Sequence, residues 1–186
     1  MHIDVHIIEE AGYESARRGL GLNKKTGQAA HRTCKILSQM DGGHNKFLES
    51  IYMWVEVRAP RYWWSQADTY RLSSKQSEST MHTLVKEVRT LENAEQETQY
   101  IRSHFEDGEI LEQTWNILLE YCKDESCELR YIKGILPEGY LQSRVWCMSY
   151  KTLRNIIQQR RKHKLPHWQE FCKQMKAQVE HPEFLP

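Results

Sequence analysis

The chain has 186 residues, with 26 Lys and Arg against 25 Asp and Glu for a formal net charge of +1, and 39% hydrophobic residues that include 6 Trp and 9 Tyr. That length suits one domain at roughly 100–200 residues each, and the near-zero charge argues against a nucleic-acid polymer as partner. No stretch approaches the ~18 consecutive apolar residues of a membrane span. The opening Met-His-Ile-Asp-Val-His lacks the regions of a secretory segment, and cysteines at 34, 122, 127, 147 and 172 without a C-x-x-C pair read as reduced, cytoplasmic thiols.

Residues 2–8 alternate, with Ile3, Val5 and Ile7 on one side, the period of a short strand. The glycine-punctuated stretch 19–27 predicts a loop. Ala30, Cys34, Leu37 and Met40 recur at helical spacing, and Asp41-Gly-Gly-His44 stops that helix. Residues 50–58 give the clearest strand: Ile51, Met53, Val55 and Val57 point one way, and Tyr52, Trp54, Glu56 and Arg58 the other. Pro60 suits the first turn of a helix through 62–67. The aromatics Tyr52, Trp54, Tyr62, Trp63 and Trp64 read as core, with a floor for a planar ring as the alternative. Residues 73–80 are serine-rich and read as a solvated loop, or as one whose hydroxyls hold phosphate.

A stripe of Ile110, Leu111, Thr114, Trp115, Leu118, Leu119 and Cys122 predicts a helix within 107–122. A helix at 126–134, a strand at 140–148 and helices at 150–161 and 165–179 complete the chain. Helices outnumber strands and bracket them instead of alternating with them. The fold class is therefore α+β, a small antiparallel or mixed sheet flanked by helices in a single domain over 1–186.

Few motifs carry chemistry alone. No nucleophile elbow, P-loop or dinucleotide fingerprint occurs. His163, His167 and Cys172 lie close in sequence, but Pro166 interrupts the turn that two zinc ligands would share, so no metal site is expected. Arg160 stands out. It extends the apolar stripe of Leu153, Ile156 and Ile157 by one turn, so it points inward, while Lys151, Asn155 and Gln159 form the opposite stripe. An inward Arg needs a protein carboxylate, an anionic or carbonyl ligand, or a stem that snorkels its charge out to water.

Read in order, several separated blocks are more specific. They are Gly43-His44, Glu49, the strand at 52–58, Ala59-Pro60, Gln66, Tyr70-Arg71-x-x-Ser74 and Ser79, then Leu136-Pro137, Tyr140, Arg144, Trp146, Leu153-Arg-Asn155 and Arg160. This series resembles the flavin-dependent thymidylate synthase (ThyX-type) family. Two departures stand out: Thr69-Tyr70-Arg71 replaces the family's Arg-His-Arg, and Met81 replaces an Arg that binds phosphate.

The resemblance implies that family's fold and a homotetramer with active sites shared between subunits. It implies FAD held by Glu49, Arg71, Lys151, Asn155 and His163, with methylenetetrahydrofolate and NADPH as co-substrates. A deoxynucleotide, dUMP or dCMP, would meet Gln66, Glu78, Ser79, Arg144 and Arg160. Arg160 would be the catalytic group, polarising a pyrimidine carbonyl. Arg61 and Lys75 are candidates to replace the lost phosphate ligand. Methylation of dUMP to dTMP is the implied reaction; the alternatives are hydroxymethyl transfer, action on dCMP, or a non-catalytic nucleotide-binding or structural member.

Overall fold

Alternation of apolar side chains places three of the four strands where the sequence puts them. The structure, a computed structural model, describes residues 2–22, 27–80, 82–106 and 112–186. Four strands, β1 (Asp4–Ala11), β2 (Tyr52–Pro60), β3 (Ser73–Ser77) and β4 (Leu141–Ser149), form an antiparallel sheet in the order β1-β2-β4-β3. The described helices are α1 (Tyr13–Leu22), α2 (His31–Ser38), α3 (Arg61–Ala67), α4 (Thr83–Val88), α5 (Ala94–His104), α6 (Glu112–Lys123), α7 (Leu129–Ile135), α8 (Tyr150–Arg160) and α9 (Pro166–Gln178). Short 3-10 turns cover Lys46–Ser50 and Pro182–Phe184.

The chain forms two compact units. One holds Arg58–Asp68 and Ser77–Arg144 with the first residues of the chain; the other holds Asp4–Val57, Thr69–Gln76 and Val145–Pro186. Strands β2 and β4 contribute residues to both.

The first unit is mainly helical. Its core gathers Leu84, Val85 and Val88 of α4, Tyr100 of α5, Trp115, Leu118, Leu119 and Cys122 of α6, and Ile132 of α7 around Phe105 and Tyr140. Burial of each large side chain contributes about 1.5–3 kcal/mol. Helix α5 starts where Asn93 accepts the Gln96 amide at 3.0 Å, while the Gln96 side chain accepts the Glu92 amide at 2.7 Å. The two reciprocal bonds satisfy donors that the first helical turn leaves open.

The second unit packs α8 and α9 with sheet residues. Met53, Val55 and Val57 of β2 are fully buried, as are Trp146 and Met148 of β4, Leu153, Ile156 and Ile157 of α8, and Trp168, Phe171 and Met175 of α9. Trp146 stacks on Phe171 with ring centres 5.8 Å apart. Strand β4 passes into α8 without a loop: Ser149 ends the strand, and its hydroxyl accepts the Thr152 amide at 3.2 Å to cap the helix.

Several expectations are corrected. The stretch 19–27 is helical through Leu22, because Tyr13–Leu22 buries Ala16 and Gly21; residues 23–26 lie outside the described residues. Pro60 ends β2 and caps α3 instead of sitting in its first turn. The serine-rich run is partly a strand, β3, at the sheet edge beside β4, so pairing overrides its low β-propensity. Helix α2 ends at Ser38 and leaves Met40 exposed. The aromatic cluster divides: Trp63 and Trp64 are core, whereas Tyr52 is exposed on β2. The stripe residues Ile110 and Leu111, and Met81, lie outside the described residues. No described helix is long and apolar enough to cross a membrane.

Candidate functional site

Arg160 ends α8 in the second unit. It is half-buried, not fully inward as its helical position predicts, because the last turn of α8 emerges from the core. Its Nε donates to the Tyr70 hydroxyl at 2.8 Å, and its guanidinium lies 4.8 Å from the Trp168 ring centre and 5.6 Å from that of Tyr70. Among the described residues no carboxylate forms an ion pair with it. Two aromatic faces and one hydroxyl therefore orient the guanidinium while leaving its outer nitrogens available.

Tyr70 is buried, donates its hydroxyl to Gln159 Oε1 at 3.0 Å, and contacts Trp168 edge-on. Its backbone is held as well, since Ser73 Oγ donates to Tyr70 O at 2.7 Å and Thr152 Oγ1 of α8 donates to Leu72 O at 3.1 Å. The first bond closes the turn before β3, and the second ties that segment to α8. Sequence reasoning registered Tyr70 only as a departure. The signal that it matters is chemical: its hydroxyl both donates and accepts, so it binds an amide oxygen and an Arg N–H together.

The residues expected around a flavin all lie in this second unit. Lys151 is half-buried, not on an exposed stripe, because its ammonium donates to Asn45 Oδ1. Asn45 is fully buried, and its Nδ2 finds no partner among the described residues. Asn155 is exposed and accepts from Gln159 Nε2 at 3.1 Å. Arg71 is exposed. His163 Nδ1 accepts the Leu165 amide at 3.1 Å at the approach to α9, where Pro166 opens the helix.

Glu49 is exposed on the 3-10 turn and borders a cavity of about 480 Å3 with Ser15, Gly19, Leu20 and Lys46. A second cavity of about 690 Å3, lined by Leu20, Gly21, Ala29, Leu37, His44 and Lys46 among others, shares Leu20 and Lys46 with it. Both are in the size range of ligand pockets.

The remaining nucleotide residues lie in the first unit. Gln142 and Arg144 are two apart on β4 and so share a face. Arg144 donates through Nε and Nη2 to Gln142 Oε1 at 3.1 and 2.9 Å, pairs with both Asp68 oxygens at 3.1 and 3.2 Å, and lies 4.5 Å from the Trp64 ring centre. Gln142 Nε2 donates to Glu78 O at 3.2 Å, and the Glu78 carboxylate accepts the Ser143 amide at 2.9 Å. Burial raises the Glu78 carboxyl above its ordinary range. Ser79 is exposed, and its carbonyl accepts the Thr83 amide at 3.0 Å and the Thr83 hydroxyl at 3.1 Å. Gln66 is half-buried in α3.

Arg61, Lys133 and Arg144 border a cleft of about 220 Å3 with Thr80, Leu136 and Gln142. Arg61 is braced there by Leu136 O at 2.9 Å and by Glu138 at 3.4 Å. Lys75 lies elsewhere, 4.6 Å from the Trp146 ring centre in the second unit. Of the two candidate replacement cations, only Arg61 borders the cleft that Arg144 borders. Lys133 was not foreseen.

All five cysteines are free. Burial pushes the thiols of Cys34 and Cys147 up, that of Cys122 to about 11 and that of Cys172 to about 12. None of these four is a ready thiolate nucleophile at neutral pH. His163, His167 and Cys172 do not converge as a metal trio; the group of described residues that brings three ligand atoms together is His31, His181 and Glu183.

The family described as thymidylate synthase complementing protein matches residues 8–182. Two crystal structures of thymidylate synthase X (ThyX) from Helicobacter pylori, both with FAD and dUMP, are similar in fold. One has a TM-score of 0.76 at 16% identity, covering 99% of this chain and 97% of that one. The other has a TM-score of 0.75 at 15% identity, covering 98% and 97%. No curated protein sequence matches significantly.

Proposed function

The chain belongs to the thymidylate synthase complementing protein family, and from that membership we propose that it transfers a one-carbon unit to C5 of a pyrimidine deoxynucleotide. The reaction is dUMP to dTMP, with methylenetetrahydrofolate as carbon donor, NADPH as reductant and FAD as cofactor. The observation that carries this reading is Arg160. Tyr70 and Trp168 orient it, and no described carboxylate neutralises it.

Arg160 donates its outer N–H groups to a pyrimidine carbonyl. As C5 becomes nucleophilic, negative charge grows on that ring, and a fixed guanidinium stabilises it without exchanging a proton. No enzyme thiol is needed, which agrees with the raised thiols of Cys122 and Cys172. Within the first unit, Arg144 and Arg61, with Lys133 nearby, line a cleft whose cations suit a phosphate dianion, so Arg61 is the candidate to take over from the arginine replaced at position 81.

The residues present fit FAD. Asn45 offers a buried, unengaged amide donor beside Lys151, next to the His44–Lys46 rim of the 690 Å3 cavity, and a flavin ring edge presents carbonyl and ring-nitrogen acceptors. Lys151, Asn45, Glu49, Arg71, Asn155 and His163 would hold it. When bound and reduced, FAD supplies the hydride that completes the methyl group.

The exposed Leu22, Leu72, Ile8 and Ile36 support a homotetramer that covers them. The test is direct: purified protein is yellow or takes up added FAD, and it forms dTMP from dUMP only with methylenetetrahydrofolate and NADPH. A folded protein that binds no FAD and makes no dTMP would be a non-catalytic member and would refute this reading.

A further inference from the structure

We propose that His31, His181 and Glu183 form a Zn2+ site that joins the C-terminal 3-10 turn to the start of α2. Glu183 Oε1 lies 3.1 Å from His31 Nε2 and 3.3 Å from His181 Nδ1, and the three ligand atoms all lie within 4.8 Å of one another. A tetrahedral zinc with bonds of ~2.0–2.1 Å has ligand–ligand edges of ~3.3–3.4 Å. Two of the three edges are therefore already close to that geometry.

The surroundings hold the ligands in place. The Tyr13 hydroxyl hydrogen-bonds His31 Nδ1 at 2.5 Å, which leaves Nε2 as the coordinating nitrogen. An oxygen partner on the second ring nitrogen is the usual support of a zinc-bound imidazole. The His181 ring packs against Tyr13 at 3.9 Å and stacks on Phe184 at 5.1 Å, and its backbone N–H donates to Tyr150 Oη at 3.2 Å. Gln39 Nε2 donates to Glu183 O at 2.9 Å, tying the turn to the end of α2.

Two imidazoles and a carboxylate select a borderline transition ion over Mg2+ or Ca2+, which take oxygen ligands. His31 is half-exposed while His181 and Glu183 are more shielded, so the site has one open side for entry and for a water as fourth ligand. Without metal the Glu183 carboxylate contacts both imidazoles directly, and the experiment separates the two states.

The full chain, stripped with EDTA, is titrated with zinc chloride by calorimetry and followed by thermal melting. The expected result is one equivalent bound per chain and a melting temperature raised by roughly 5–10 °C when free Zn2+ is about 100 times its Kd. His31→Gln, at a half-exposed position, lowers the affinity by more than about 100-fold and Tyr13→Phe by roughly 10- to 100-fold. His6→Gln leaves it unchanged, and Mg2+ in place of Zn2+ gives no shift. Absence of a saturable one-equivalent event, or equal affinity in His31→Gln and the unaltered chain, overturns the proposal. Glu183→Gln lowers the affinity likewise; should that variant fail to fold, His31→Gln alone decides the outcome.

Discussion

Tyr70→Phe removes one oxygen and leaves the ring in place. That oxygen donates to Gln159 at 3.0 Å and accepts from the Arg160 guanidinium at 2.8 Å. A neutral bond of this kind contributes about 0.5–1.5 kcal/mol and one to a charged group about 1.5–3 kcal/mol. Because Arg160 is only half-buried, solvent reduces the second contribution, and the expected loss is about 2 kcal/mol. In a chain of this length that lowers the melting temperature by roughly 4–8 °C.

Function should suffer separately, because the guanidinium keeps its Trp168 face but loses the bond that sets its rotation. We expect kcat/KM for dUMP to fall roughly 10- to 100-fold, a loss of about 1.4–2.7 kcal/mol in transition-state binding. The decisive assay is a double-mutant cycle with Arg160→Lys, scored both by melting and by kcat/KM. If Tyr70 acts through Arg160, the two substitutions couple by about 1–2 kcal/mol. Additivity within about 0.3 kcal/mol on both readouts would show that Tyr70 does not position Arg160.

Arg61→Gln should weaken dUMP binding roughly tenfold and make what remains less sensitive to salt, measured by titration at two ionic strengths. Each Cys→Ser variant should keep dTMP formation, with Cys34, Cys122 and Cys172 losing about 1–3 kcal/mol because a hydroxyl is buried in place of a thiol; one folded but fully inactive variant would reveal a nucleophilic mechanism. Gly12→Ala should destabilise by roughly 2 kcal/mol or more, since its φ is +99° and an added Cβ meets Ser50 O at 2.2 Å; urea melts measure this.

Burial holds the His104 imidazole below its ordinary 6.5. The unfolded chain therefore binds that proton more readily. This contribution to stability is full above pH 6.5 and is lost as pH falls from there toward the folded value. His104→Phe, which keeps the stack on Tyr100, should flatten the melting temperature between pH 7.5 and 5.5 relative to the unaltered chain.

Three of the strands, β1, β2 and β4, and the late helices were legible because each buries one periodic face. Met53, Val55 and Val57 alternate on β2, and Leu153, Ile156 and Ile157 recur on α8, and all six are fully buried. β3 was not legible: its Ser-Ser-Lys-Gln-Ser sequence has no apolar period, and only the neighbouring β4 makes it a strand. Within the site, Arg160 was found from its helical position, but the residues orienting it were not. Trp168 lies in the first turn of the proline-started α9, and Tyr70 lies before β3, so no local spacing links either to Arg160. Tertiary contact alone brings them together, as it does His31 with Glu183.

The direct passage from β4 into α8 restricts how this site can change over evolutionary time. A deletion within β4 turns every following strand residue to the other face, and a deletion within α8 rotates everything after it by about 100°. Ser149 is shared by both elements, so no slack absorbs either error. Arg160 would be carried off Tyr70 and Trp168 entirely, not shifted slightly. Change along this segment is thus confined to exchanging side chains at constant length. Tolerance to insertion, mapped residue by residue from 141 to 160, should drop sharply against that at the exposed Arg161 and Lys162 just beyond.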